Sequence, residues 1–99
     1  MRIEWHPDAV ADLARIGTAD QRRIKAALDD LLAAPDARQR LVPYSGDLKG
    51  HWKLRVGDYR LVCRVEDRNG QRVLVIYRAH RSRAYDSRSL RTILRRSED

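Results

Sequence analysis

The sequence holds one cysteine, Cys63, so no intrachain disulfide can form and a reducing cytoplasm is the expected compartment. Cys63 lies in an apolar alternation and reads as a small core residue rather than a nucleophile. There is no CxxC, no HExxH, no Walker loop and no GxGxxG, so metal and nucleotide cofactors have no support and none is expected. No apolar run approaches the roughly 20 residues of a membrane span. The opening MRIEWHPDAV lacks the basic-then-apolar order of a signal peptide. Internal repeats and low-complexity linkers are also missing, and 99 residues with 42% hydrophobic side chains suit one compact domain with a modest core.

Acidic charge is scarce in one part of the chain only. Residues 1–36 hold 5 Lys and Arg against 7 Asp and Glu, whereas residues 37–99 hold 16 against 7. The net charge of +7 therefore arises entirely from the second part. A segregated cationic region is an electrostatic footprint for a polyanion, of which nucleic acid is the commonest.

Ile3 and Trp5 alternate with Arg2 and Glu4, as in a short strand. Pro7 and Asp8 then suit a helix start. Val10, Leu13 and Ile16 recur at helical spacing and Gly17 ends that helix. Thr18 or Asp20 can cap the next one, whose stripe is Ile24, Ala27, Leu28, Leu31 and Leu32, and Pro35 stops it. Residues 36–47 read as a connection with an extended piece around Leu41-Val42. Strands are expected over His51–Val56, Tyr59–Glu66 and Arg72–Ala79. Gly57-Asp58 joins the first two in a type II′ turn, and Asn69-Gly70 marks the second turn. From about Ala84, Leu90, Ile93 and Leu94 follow helical spacing among arginines. The expected fold is α+β: an N-terminal strand and an αα-hairpin packed on a small antiparallel sheet, with a C-terminal helix. The other sheet face can then be open to solvent.

With Gly57-Asp58 as the loop, Val56 opposes Tyr59, Arg55 opposes Arg60 and Lys53 opposes Val62. Trp52, Leu54, Val56, Tyr59, Leu61, Cys63 and Val65 form the core face. Lys53, Arg55, Arg60 and Arg64 form the other. If the next strand stays regular, Arg60 lies across from Ala79, and Tyr77 and Arg81 join the cationic face. Opposed like charges cost a few tenths to about 1 kcal/mol in a free sheet. A bound phosphate reverses that sign, because guanidinium groups take phosphate oxygens in bidentate fashion. Asp58, Glu66 and Asp67, the local acids, sit at the turns instead of mid-strand.

Such a site suits metal-free RNA cleavage, in which the 2′-OH attacks its own phosphate. That reaction needs a base, charge stabilisation and a proton for the leaving 5′-oxygen. Dense positive charge can lower a lysine pKa toward a usable base. His51 and His80 are further acid/base candidates, and Tyr77 and Tyr85 could stack on bases.

Leu48-Lys49-Gly50, then Arg55-Val56-Gly57-Asp58-Tyr59-Arg60, then His80-Arg81-Ser82-Arg83-Ala84-Tyr85 occur in an order that resembles the RelE family of type II toxins, within the RelE/ParE superfamily. The resemblance spans nearly the whole chain. It implies the RelE/ParE toxin fold and a ribosome-dependent mRNA endonuclease that inhibits translation. It also implies a cognate antitoxin as partner, in a hetero-oligomer, with mRNA at the ribosomal decoding site as substrate. By position, Lys53 and Arg55 match the family's basic strand pair, Arg60 its transition-state arginine, Arg81 the arginine near the leaving oxygen and Tyr85 the tyrosine that orients RNA. Lys49, His51, Arg64, Tyr77, His80 and Arg83 are the expected RNA contacts around them. Two positions depart from the pattern. Arg55 stands where the best-known members have Lys, and Ala79 replaces the usual Gly. Arginine does not deprotonate, so the base falls to Lys53 or a histidine. The alternatives from the same superfamily are a ParE-type inhibitor of DNA gyrase and a non-catalytic nucleic-acid-binding module.

Overall fold

Two short turns set most of the sheet. Gly57 has φ +55° and Asp58 does not enter the left-handed region, as a type II′ turn requires. Asn69 and Gly70 have φ +52° and +78°, the paired left-handed values of a type I′ turn. Between and beyond these turns the apolar alternation pairs. The computed structural model describes residues 1–81. The expected C-terminal helix, with Leu90, Ile93 and Leu94, lies outside the described residues.

The elements run β1 (Arg2–Trp5), α1 (Pro7–Ala14), α2 (Thr18–Ala33), β2 (Val42–Pro43), β3 (Trp52–Val56), β4 (Tyr59–Arg68) and β5 (Gln71–Arg81). One-turn 3-10 segments at Ala37–Arg40 and Gly46–Leu48 lie on either side of β2. The sheet order is β1-β5-β4-β3-β2. The β3–β4–β5 meander is antiparallel, as expected. The sheet as a whole is mixed, not antiparallel, because β1 runs parallel to β5. That pairing joins the two ends of the described chain. Parallel pairing demands a long crossover, and no local signal in RIEW announces its partner.

Leu54, Val56, Tyr59, Leu61, Cys63, Leu74, Ile76 and Ala79 of the sheet meet Ala9, Ile24, Leu28 and Leu31 of the helices in one buried cluster. Pro7 opens α1 with its fixed φ, and the His6 imidazole Nδ1 accepts from the Asp8 amide at 3.1 Å. α1 ends at Ala14, so Ile16 is buried beyond it rather than on its stripe, and Val10 is 51% exposed. Neither Thr18 nor Asp20 caps α2. Gly17 occupies the cap position with no side-chain bond. The helical hairpin is clamped instead by Gln21, whose Nε2 donates to the carbonyls of Leu13 and Ile16, both at 2.9 Å. No helix among the described residues is long and apolar enough to cross a membrane.

Candidate nucleic-acid interface

The sheet face away from the helices can be built row by row. Arg55 pairs with Arg60, and Lys53 pairs with Val62, the register expected from the Gly57-Asp58 turn. The next strand departs from expectation. Val62 pairs with Arg78 but Cys63 pairs with Ile76, so β5 carries one extra residue, Tyr77. This β-bulge places Tyr77 and Arg78, neighbours in sequence, on the same face. Every residue after it shifts phase. Arg60 faces His80 rather than Ala79, and Leu61 faces Ala79.

Two corrections follow from that one residue. Arg81 pairs with Tyr59, a core-face residue, so it lies on the helix side of the sheet and not with Lys53, Arg55 and Arg60. Its Nε donates to the Tyr59 hydroxyl at 3.2 Å and its guanidinium stands 5.5 Å from that ring. Arg78, which the regular register missed, takes a place on the cationic face. The sequence signal was the parity of RVLVIYRAH: Arg78 and His80 are polar at even positions, whereas Val73, Val75 and Tyr77 occupy the outer face at odd ones. The bulge is anchored from outside the sheet, since the Ala79 amide donates to Asp12 Oδ2 of α1 at 3.2 Å.

The face is also less open than expected. Leu48 and Tyr44, from the connection before β3, pack on the buried Val62. Lys53 Nζ lies 5.5 Å from the centre of the Tyr44 ring. Tyr77 is 4% exposed, against Val73 and Val75, with its hydroxyl 3.5 Å from Glu66 Oε1 and the His51 ring 6.0 Å away. It presents no face for a base to stack on. His51 is 6% exposed, and its Nδ1 lies 3.3 Å from the Leu48 carbonyl oxygen. It is a packing residue here, not a surface contact. His80, half-buried on the outer face opposite Arg60, has Nδ1 2.7 Å from the Arg81 carbonyl oxygen and Nε2 shielded from solvent. Lys49 is exposed just after the second 3-10 segment. Arg64 is half-buried opposite Val75. Arg83 and Tyr85 lie outside the described residues.

What remains accessible is a group of cations with few acids. Among the described residues, Lys53, Arg55, Arg60 and Arg64 make no ion pair. Glu66 is taken by Arg68 at 2.6 Å, which also reaches Glu4 at 2.7 Å, and Asp67 lies 3.5 Å from Arg72. The Arg60 Nη1 donates to the carbonyls of Gly57 and Tyr59, at 3.0 and 2.8 Å, which fixes its guanidinium beside the turn. Partial burial, then the charges of Arg55 and Arg60, hold the Lys53 ammonium below its usual pKa. Burial, then Arg64, lowers His51. Burial lowers His80 as well, partly opposed by its bond to the Arg81 carbonyl. A preorganised cationic row beside a lysine of reduced basicity can bind a phosphodiester and stabilise charge that develops on it.

Solved structures of the same architecture are toxins. The isolated RelE toxin of E. coli matches with a TM-score of 0.63 at 18% identity, over 94% of this chain and 95% of that one. The YoeB/ParE toxin from Agrobacterium tumefaciens matches at 0.66 and 19%, over 84% and 100%. The archaeal RelE–RelB complex from Pyrococcus horikoshii matches at 0.61 and 27%, over 84% and 97%. A search of curated proteins found no match. The family model of the ParE toxin of the type II toxin–antitoxin system parDE covers residues 3–85. That span includes both helices, the cationic rows and all of the sheet except Arg2, and by it this chain belongs to the ParE toxin family, within the RelE/ParE superfamily of type II toxins.

Proposed function

We propose that this toxin is a metal-independent endoribonuclease that cleaves mRNA on translating ribosomes. One observation carries the reading. Arg55 stands directly opposite Arg60 with no acid paired to either, a costly arrangement unless an anion is bound between them. In this reading Arg55 and Arg60 grip the non-bridging oxygens of the scissile phosphate. Lys53, its pKa lowered by burial and by those two arginines, takes the 2′-OH proton in its neutral form. The 2′-oxygen attacks phosphorus, and the leaving 5′-oxygen takes its proton from solvent. Arg81 has no part in this, being on the helix side with Tyr59. Its partner is a cognate antitoxin, as in the RelE–RelB complex of Pyrococcus horikoshii, and its site of action is the cytoplasm.

The family match favours a second reading, a ParE-type inhibitor of DNA gyrase, and the displaced Arg81 fits it, since the superfamily's nuclease pattern is then incomplete. Mapping RNA 5′ ends after induction separates the two. New ends inside coding sequences that vanish in Arg60→Ala support the nuclease. Growth arrest with intact transcripts sinks it, and accumulation of gyrase–DNA cleavage complexes would establish the second reading.

A further inference from the structure

We propose that Arg78 holds the RNA phosphate next to the scissile one, so that the site engages at least two consecutive phosphates of a single strand. This rests on the endonuclease reading above and names a contact that a regular β5 would not provide. Two cross-strand rows define the geometry: Lys53–Val62–Arg78, and two residues further along β4, Arg55–Arg60–His80. The rows are about 7 Å apart, the rise of two strand residues. Arg78 is therefore the diagonal neighbour of Arg60, within reach of a long side chain. Val62, between Lys53 and Arg78, is fully buried beneath Leu48 and Tyr44, so the two cations flank a covered apolar position and reach the outer face on either side of it.

The bulge exists at a cost that the fold meets elsewhere. Inserting Tyr77 disrupts the ladder, and the Ala79 amide finds its acceptor on α1 instead of β4. Bulges of this kind re-aim side chains beside functional sites. Here the result is that Arg78 replaces Arg81 as the β5 cation on the outer face.

The test uses the full-length protein and a non-cleavable 2′-O-methyl oligouridylate, with affinity measured across a salt series. Arg78→Ala is expected to weaken binding and to reduce the slope of log K against log salt by about 0.7, the value for one phosphate contact on a single strand. Arg60→Ala should act similarly, whereas Lys25→Ala, on α2, should not. Arg78→Gln, with its thermal midpoint measured alongside, separates lost contact from lost fold. Wild-type affinity and slope in both Arg78 variants, with Arg60→Ala still weakened, overturns the role of Arg78 and leaves the endonuclease reading standing. Absence of binding by the wild-type protein overturns the Arg78 contact, while the endonuclease reading is decided separately by the mapped RNA 5′ ends.

Discussion

Tyr59 and Arg81 face one another on the last rung of β4 and β5, with the phenol accepting the Arg81 Nε–H at 3.2 Å and the guanidinium 5.5 Å from the ring. The pair fastens the end of β5 to the core side of the sheet. Tyr59→Phe removes the acceptor but keeps the ring, and is expected to cost about 0.5–1.5 kcal/mol in urea unfolding. Arg81→Ala should blunt growth arrest far less than Arg60→Ala. Equal loss in the two variants would place Arg81 back at the site.

Arg55 opposite Arg60 is expected to be a stability cost kept for binding. Arg55→Thr keeps a strand-forming residue and removes the repulsion. It should stabilise the unliganded protein by a few tenths to about 1 kcal/mol at low salt, a gain that shrinks as salt screens the wild-type pair. The same variant should bind RNA more weakly. Denaturant midpoints at low and high salt check the first part, and a destabilised Arg55→Thr would refute it.

His51 ties stability to pH on the acid side. Burial and Arg64 hold its folded pKa below 6.5, so the unfolded chain takes up the proton first as pH falls. Stability is full above about 6.5 and declines as pH drops toward the folded pKa. His80 shifts in the same direction, so His51→Asn should flatten the decline between pH 7 and 5 only in part. Lys53 gives the alkaline counterpart. Its folded pKa lies below 10.5, so stability should rise as pH approaches that value, and Lys53→Met should lose the rise. Urea midpoints across pH read both, and an unchanged acid slope in His51→Asn would show that His51 does not contribute.

Asp12 is expected to hold the bulge. Its carboxylate accepts the Ala79 amide, 67 residues away in sequence. Asp12→Ala strands that half-buried donor and should cost about 1–3 kcal/mol, while Asp12→Asn, which keeps an acceptor oxygen, should recover most of it. Amide exchange at Ala79 should speed up in Asp12→Ala. Unchanged protection there would mean that another group holds the bulge.

The hairpin HWKLRVGDYRLVCR was legible because its information is local. Gly57 permits the left-handed turn, the turn fixes the register, and period-2 alternation then assigns Leu54, Leu61 and Cys63 to the core and Lys53, Arg55 and Arg60 to the opposite face. Asn69-Gly70 set the second turn for the same reason, and the pairs from Arg68–Gln71 to Cys63–Ile76 follow from it. Beyond Ile76 the local rule fails. The bulge at Tyr77 depends on an acceptor from α1, the burial of Tyr77 depends on Val73, Val75 and the His51 ring meeting it across strands, and β1 finds β5 only across the length of the described chain. The Asp12–Ala79, His51–Tyr77 and β1–β5 contacts all join residues far apart in sequence. The sequence by itself determined that a cationic hairpin face exists. Only the tertiary structure decided which third-strand arginine shares it, because a single inserted residue, stabilised by a distant carboxylate, exchanges Arg81 for Arg78.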